Sequence, residues 1–254
     1  MKTPDALHVR SRRSFLHTDA DGRQVWEQRE TSLVCSPRNC SIVICDVWDK
    51  HWCRGAAERL RQLLPRMQRV VRESRDRGVL IIHAPSETME FYAGTTARQR
   101  ALEAKRIRLP DMGPPDVDPP LPIDDDNGGC DTDANFGDVD ERVWTRQDAG
   151  IAIADDVDAV TDSGEEVYRL LSQESRRHLF MMGVHTNMCI LNRSFGIKNM
   201  VRWGVDVTLL RDLTDSMYDP RCRPYVNHEV GTELVIDYIE KFWCPSALSD
   251  CLLE

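Results

Sequence analysis

Gly183 to Cys189 reads G-V-H-T-N-M-C and sets a cysteine where a helix should begin. Before it, His178 to Val184 is a short apolar run bounded by charge, the pattern of a buried strand. After it, Ile190, Leu191, Phe195, Ile197, Met200 and Val201 recur at roughly helical spacing, and Thr186 and Asn187 are residue types that cap helices. Cys189 is therefore expected in a first helical turn at the carboxyl end of a strand. Free N–H groups and the positive end of the helix dipole favour a thiolate there, and the same N–H groups can hold an oxyanion. The competing role of any cysteine is that of a small buried hydrophobe.

Two other apolar runs end in reactive residues. Cys40 to Val47 (C-S-I-V-I-C-D-V) delivers Asp46, followed by Trp48, Asp49 and His51, and Gly78 to His83 delivers His83 with Glu87 close behind. An aspartate at a strand end beside a thiol can take its proton, the pairing that covalent catalysis needs. Asp46 reads equally well as a helix N-cap or a lysine's partner.

Other elements must hold these strand ends together. Residues 7–34 alternate imperfectly around D-A-D-G and predict a hairpin ahead of the main fold. Residues 56–75 are amphipathic, with Leu60, Leu63, Leu64, Met67, Val70 and Val71 on one face, and Pro65 should kink or break that helix. A charged helix over 95–106, a strand over 142–153, a helix over 163–175, a strand over 205–210 and a helix over 225–242 complete the order. Strands alternating with helices imply an α/β fold, a three-layer α/β/α sandwich on a mainly parallel, doubly wound sheet. Ligands bind such sheets at the carboxyl ends of the strands. With no G-x-G-x-x-G after the first strand and no P-loop motif, neither a dinucleotide nor a P-loop nucleotide is supported. The domain division is a hairpin extension over 1–39 and a main domain over 40–254.

Residues 109–141 interrupt this order. They contain no lysine, six prolines and the aspartates at 111, 116, 118, 124, 125, 126, 131, 133, 138 and 140. Such a loop in a compact domain is a functional or disordered insertion. The stretch 124–133 loosely follows a calcium loop without its bidentate glutamate, and a solvated loop is the stronger expectation.

The whole chain carries 33 basic and 42 acidic residues, a net charge of −9, which argues against nucleic acid or an anionic membrane as partner. No apolar run approaches the roughly 20 residues that span a bilayer. The N-terminus has basic residues with no apolar stretch behind them, so no secretory signal is expected. Nine cysteines, an odd number with no C-x-x-C, fit reduced thiols and a cytoplasmic setting, and Cys35 and Cys40 form at most an incomplete zinc-like pair.

Asp46 after an apolar strand, G-V-x-T-x-x-C at 183–189 and G-x-D-V-T-L-L-x-D at 204–212 resemble the isochorismatase-like cysteine hydrolases, which include nicotinamidases and N-carbamoylsarcosine amidases. The resemblance spans roughly residues 40 to 242, apart from most of the insertion. It implies an aspartate–lysine–cysteine triad with Cys189 as nucleophile and Asp46 as base. It also implies a cis peptide at Val184–His185 that turns the His185 and Cys189 N–H groups into an oxyanion hole. The family lysine has no counterpart, since the matching region reads V-W-T-R-Q-D-A-G-I and offers Arg146, with Lys50 the next cation to consider. Arginine can fix the charge of Asp46 but does not readily surrender a proton.

Trp48, His51 and His185 are the expected substrate-binding residues. The family's nicotinamidases bind a metal near the active site. Asp49, His51 and His83 are the residues that could supply ligands for a divalent metal here, although the hydrolysis itself requires no cofactor. The expected activity is hydrolysis of a small amide or related C–N bond through a cysteine thioester, in a protein that associates into homo-oligomers. The alternatives are isochorismatase-type vinyl-ether hydrolysis, or a silent binding or assembly protein that kept the fold.

Overall fold

Cys40–Cys45 is apolar on both faces because it lies inside a sheet covered on both sides. The computed structural model describes residues 6–111, 118–132 and 142–253. Among them the chain forms β1 (Leu7–Thr18), β2 (Gln24–Cys35), β3 (Cys40–Cys45), α1 (Arg54–Asp76), β4 (Leu80–Ala84) and α2 (Thr96–Leu102). After the insertion come β5 (Ala159–Val160), α3 (Gly164–Gln173), β6 (His178–Val184), α4 (Cys189–Asn192) and α5 (Ile197–Arg202). The chain closes with β7 (Asp206–Asp215), α6 (His228–Phe242) and β8 (Ser246–Ala247).

The eight strands form one sheet in the order β2-β1-β8-β7-β6-β3-β4-β5. β3 to β8 run parallel; the β1–β2 hairpin is antiparallel and joins the sheet where Ser11 and Arg12 pair with Ala247 and Ser246. Asp19 closes the hairpin turn by accepting the Asp21 and Arg23 N–H groups.

Side-chain alternation divides the core in two. Val43, Cys45, Leu179 and Met181 meet α2, α3, α5 and α6 on one face. Ile42, Ile44, Phe180 and Met182 meet Leu60, Met67, Val70 and Val71 of α1 on the other. The fold is thus the expected α/β/α arrangement with both sheet faces covered.

Several local expectations are corrected. Pro65 neither ends nor divides α1; it lies on the exposed side, where water can satisfy the carbonyl that loses its partner. Residues 142–153 form no strand, only an isolated bridge from Gln147 to Trp48. The backbone there is held by side chains instead: Asp49 accepts the Thr145 N–H, and the Tyr92 hydroxyl accepts that of Gln147. The helix expected over 189–201 is two short ones, α4 and α5. Gly196 sits between them, and a Cβ there would come 2.9 Å from the carbonyl oxygens of Ile190, Leu191 and Arg193.

The thiols are not all reduced: Cys53, ahead of α1, is bridged to Cys130 of the insertion. The other seven are free, and Cys35 and Cys40 lie with sulfurs 3.4 Å apart. No helix among the described residues is long and apolar enough to cross a membrane.

β6 reaches the site only because residue 183 is glycine. Its φ is +122°, and a Cβ would lie 2.0 Å from the carbonyl oxygen of Cys45, the residue before Asp46. Gly183→Ala should therefore cost about 2–4 kcal/mol, combining backbone strain with overpacking. Urea unfolding of the variant measures it; a loss below about 0.5 kcal/mol, the range of ordinary surface changes, would contradict the close approach.

Candidate active site

Asp46 leaves β3 with φ +48° and is fully buried. Its Oδ1 accepts the Ser86 N–H at 2.7 Å from the loop after β4, and its Oδ2 accepts Arg193 Nε at 2.9 Å. The Cys189 thiol lies beside the same carboxyl group, close enough to lower the Asp46 pKa. Three neighbouring strands, β4, β3 and β6, thus send a donor loop, a carboxylate and a thiol to one point at their carboxyl ends.

The cation at that point is Arg193, which corrects the assignment of Arg146. Arg146 is exposed, with its guanidinium 5.4 Å from the Phe91 ring centroid and its N–H on Asp49. Lys50 is exposed too. Arg193 follows the single turn of α4 and leaves the helix with ψ 157°. That exit lets its guanidinium reach Asp46, a second carboxylate on Glu87 at 3.3 Å, and the face of Trp48 at 5.9 Å. A basic residue four positions after the cysteine was the available signal, since one helical turn returns it to the same side.

The thiol differs from expectation. Burial and the adjacent Asp46 carboxylate raise the Cys189 pKa well above that of a free thiol, while Arg193 and the His185 N–H pull it down. One helical turn cannot supply the dipole of a long helix, so the thiol keeps its proton. Asp46 is itself pushed above the ordinary carboxylate range by burial, with Arg193, the thiol and Ser86 acting against that shift. The pair is a protonated thiol beside a carboxylate.

The peptide bond between Val184 and His185 is cis, as the resemblance implied. The His185 backbone lies close enough to the Cys189 sulfur to lower its pKa. Thr186 and Asn187 do not cap α4; that position falls to Met188. The Thr186 hydroxyl bonds Thr214 instead, and Asn187 exchanges two hydrogen bonds with the Met217 backbone.

Trp48, His51 and His185 cluster together, but all three are buried. Trp48 stacks on Trp144 at 4.1 Å and donates its indole N–H to the Ser86 carbonyl. His51 lies edge-on to His185 at 4.8 Å. Burial lowers the His51 pKa to about 4 and holds His185 neutral as well. None of the three lines the cleft over Cys189, which has a volume of about 470 Å³ and is bounded by Leu121, Asp125, Asn187, Met188, Asn192 and Arg193.

The candidate metal ligands do not converge. Asp49 binds the Thr145 and Arg146 backbone and the Thr145 hydroxyl. His51 Nδ1 accepts the Cys53 N–H. His83 is fixed between Gln147 at 2.9 Å and Asp158 at 3.0 Å, the latter also held by Arg75. Among the described residues one other group has metal-like spacing, Cys53, Cys130 and Asp131, but its sulfurs are bonded to each other and Asp131 pairs with Arg59.

The insertion borders the cleft through Leu121 and Asp125. Its described part is tied down by Asp118 to Lys198, Asn127 to Asp219, Asp131 to Arg59 and the Cys53–Cys130 bridge. The aspartates at 124, 125 and 131 have separate partners rather than one shared centre. Residues 112–117 and 133–141, with Asp116, Asp133, Asp138 and Asp140, lie outside the described residues.

No family model matches the chain, and no curated protein matches it in sequence. Among solved structures, a cysteine hydrolase from Pseudomonas syringae pv. phaseolicola 1448A is similar at a TM-score of 0.49 and 14% identity, over 84% of this chain and 90% of that one.

Proposed function

We propose that the protein is a cysteine hydrolase that cleaves a small amide or related C–N bond through a thioester on Cys189. The observation that carries this reading is the continuous contact Cys189–Asp46–Arg193 at the mouth of a cleft. In the first half-reaction the sulfur attacks the carbonyl carbon as Asp46 takes the thiol proton. The His185 and Cys189 N–H groups are the donors for the oxyanion. Collapse of the tetrahedral species breaks the C–N bond, and Asp46 returns the proton to the leaving nitrogen. Water then attacks the thioester with Asp46 again as base, and the thiol is restored. Arg193 favours the ionised form of Asp46 before each proton transfer and itself stays protonated.

Turnover of a panel of small amides, with mass spectrometry of acid-quenched enzyme, tests this. An acyl adduct should map to Cys189, and Cys189→Ala should lower turnover by about a thousandfold or more. An active Cys189→Ala protein would refute the mechanism. A chain that acylates nowhere and turns over no amide would refute the amide reading.

The pH dependence separates Arg193 from a purely structural cation. Asp46 must be ionised to act as base, so kcat/KM rises with pH through its pKa. Burial raises that pKa and Arg193 lowers it, so Arg193→Gln should move the acid limb upward by about 1–2 pH units, while Arg193→Lys keeps it near its original position. A limb that stays put in Arg193→Gln would show that another group sets the protonation state.

A further inference from the structure

We propose that the cleft over Cys189 selects substrates whose scissile carbonyl is linked to a cationic end, and that Asp125 is the residue that receives it. The proposal rests on the reading of Cys189 as nucleophile and adds the charge class of its substrate.

Two charged side chains besides the thiol line the cleft, Arg193 and Asp125. They are not equivalent. The one positive charge of Arg193 already faces two carboxylates, Asp46 at 2.9 Å and Glu87 at 3.3 Å. It has no charge left over for an anionic substrate. Asp125 has the opposite situation: its partner is neutral, the Asn187 amide at 2.6 Å, and among the described residues no cation pairs with it. Nearby arginines are spoken for, Arg59 by Asp131 and Asp215, and Arg221 by Asp219. Arg223 meets the insertion through its carbonyl, which accepts the Asp124 N–H.

Asp125 is also held in place rather than loosely solvated. Asn187 is 1% exposed and is locked by its exchange of hydrogen bonds with Met217. Its remaining amide hydrogen fixes the Asp125 carboxylate at the rim of the cleft. An ionised carboxylate offers about four acceptor positions, so one amide leaves most of them open. Burial, and then Asp126 and Asp124 beside it, raise the Asp125 pKa, with Asn187 opposing. An arriving ammonium, amidinium or guanidinium would relieve that unfavourable charge, whereas a carboxylate would add to it.

Small thiol reagents of different charge test this without a known substrate. The intact protein at low ionic strength is treated with the methanethiosulfonate reagents carrying trimethylammonioethyl, methyl or sulfonatoethyl groups. Labelling of Cys189 is followed by peptide mapping, and each rate is divided by that of free cysteine. The normalised cation-to-anion rate ratio should be about tenfold or more, and should fall towards one in Asp125→Asn and in about 0.5 M salt. Asp126→Asn, an exposed neighbour outside the lining, should change it less than about twofold. Equal or faster labelling by the anion, or an unchanged ratio in Asp125→Asn, overturns the charge assignment alone. No labelling of Cys189 by any of the three overturns both the assignment and the nucleophile reading.

Discussion

A fully buried carboxylate is the constraint on which the rest of this structure depends. Asp46 has no contact with water and no helix to cap, so its charge must be met by protein donors or be lost to protonation. The Ser86 N–H, the Arg193 guanidinium and the Cys189 thiol meet it, and each comes from a different segment. Removing one partner of a buried ion pair costs about 3–5 kcal/mol, because the other is left charged and unpaired. Such an arrangement is a poor way to gain stability; a well-packed apolar group would serve as well. On the proposed mechanism its value lies in holding a base against a thiol.

The geometry follows from the sheet. β3, β4 and β6 are adjacent and parallel, so their carboxyl ends lie side by side without any long-range coincidence. Gly183 lets β6 run against the Cys45 carbonyl, and α4 lasts for one turn before Arg193 turns back to Asp46. Gly196 accommodates the crowded carbonyls that this early exit creates. A longer helix would have kept Arg193 in helical backbone rather than at the extended exit from which its side chain reaches Asp46. The strong dipole expected of such a helix is therefore absent where the cation is present. One source of electrostatic support is exchanged for another.

The strands and their chemistry were legible because buried parallel strands are short apolar runs. His178–Val184 matched its strand; strand ends marked Cys189 and Asp46 as candidates, and the family resemblance paired them. The cation was not legible in the same way. Arg146 was favoured by its place after the insertion, but Asp49 captures the backbone there and leaves its side chain over Phe91. Residues 142–153 looked like a strand because apolar residues recur in them, yet their backbone bonds go to the Asp49 and Tyr92 side chains. Local pattern carries no information about such partners. The Cys53–Cys130 bridge was hidden for a related reason: the two residues are separated by 77 positions, and no spacing motif joins them.

Arginine in place of an exchangeable cation narrows how protons can move. A lysine beside the base could give up its proton and take it back; a guanidinium remains charged under any physiological condition. In the proposed mechanism Asp46 must then carry the Cys189 proton to the leaving nitrogen, and later the proton of the attacking water back to the sulfur. Asp46 suits that duty, since burial makes it more basic than an ordinary carboxylate while Arg193 keeps it ionised enough to accept. The thiol is raised by the same burial, so in the proposed reaction it yields its proton only as the new C–S bond forms. On that proposal proton transfer and attack are coupled, and the resting protein need not carry a free thiolate.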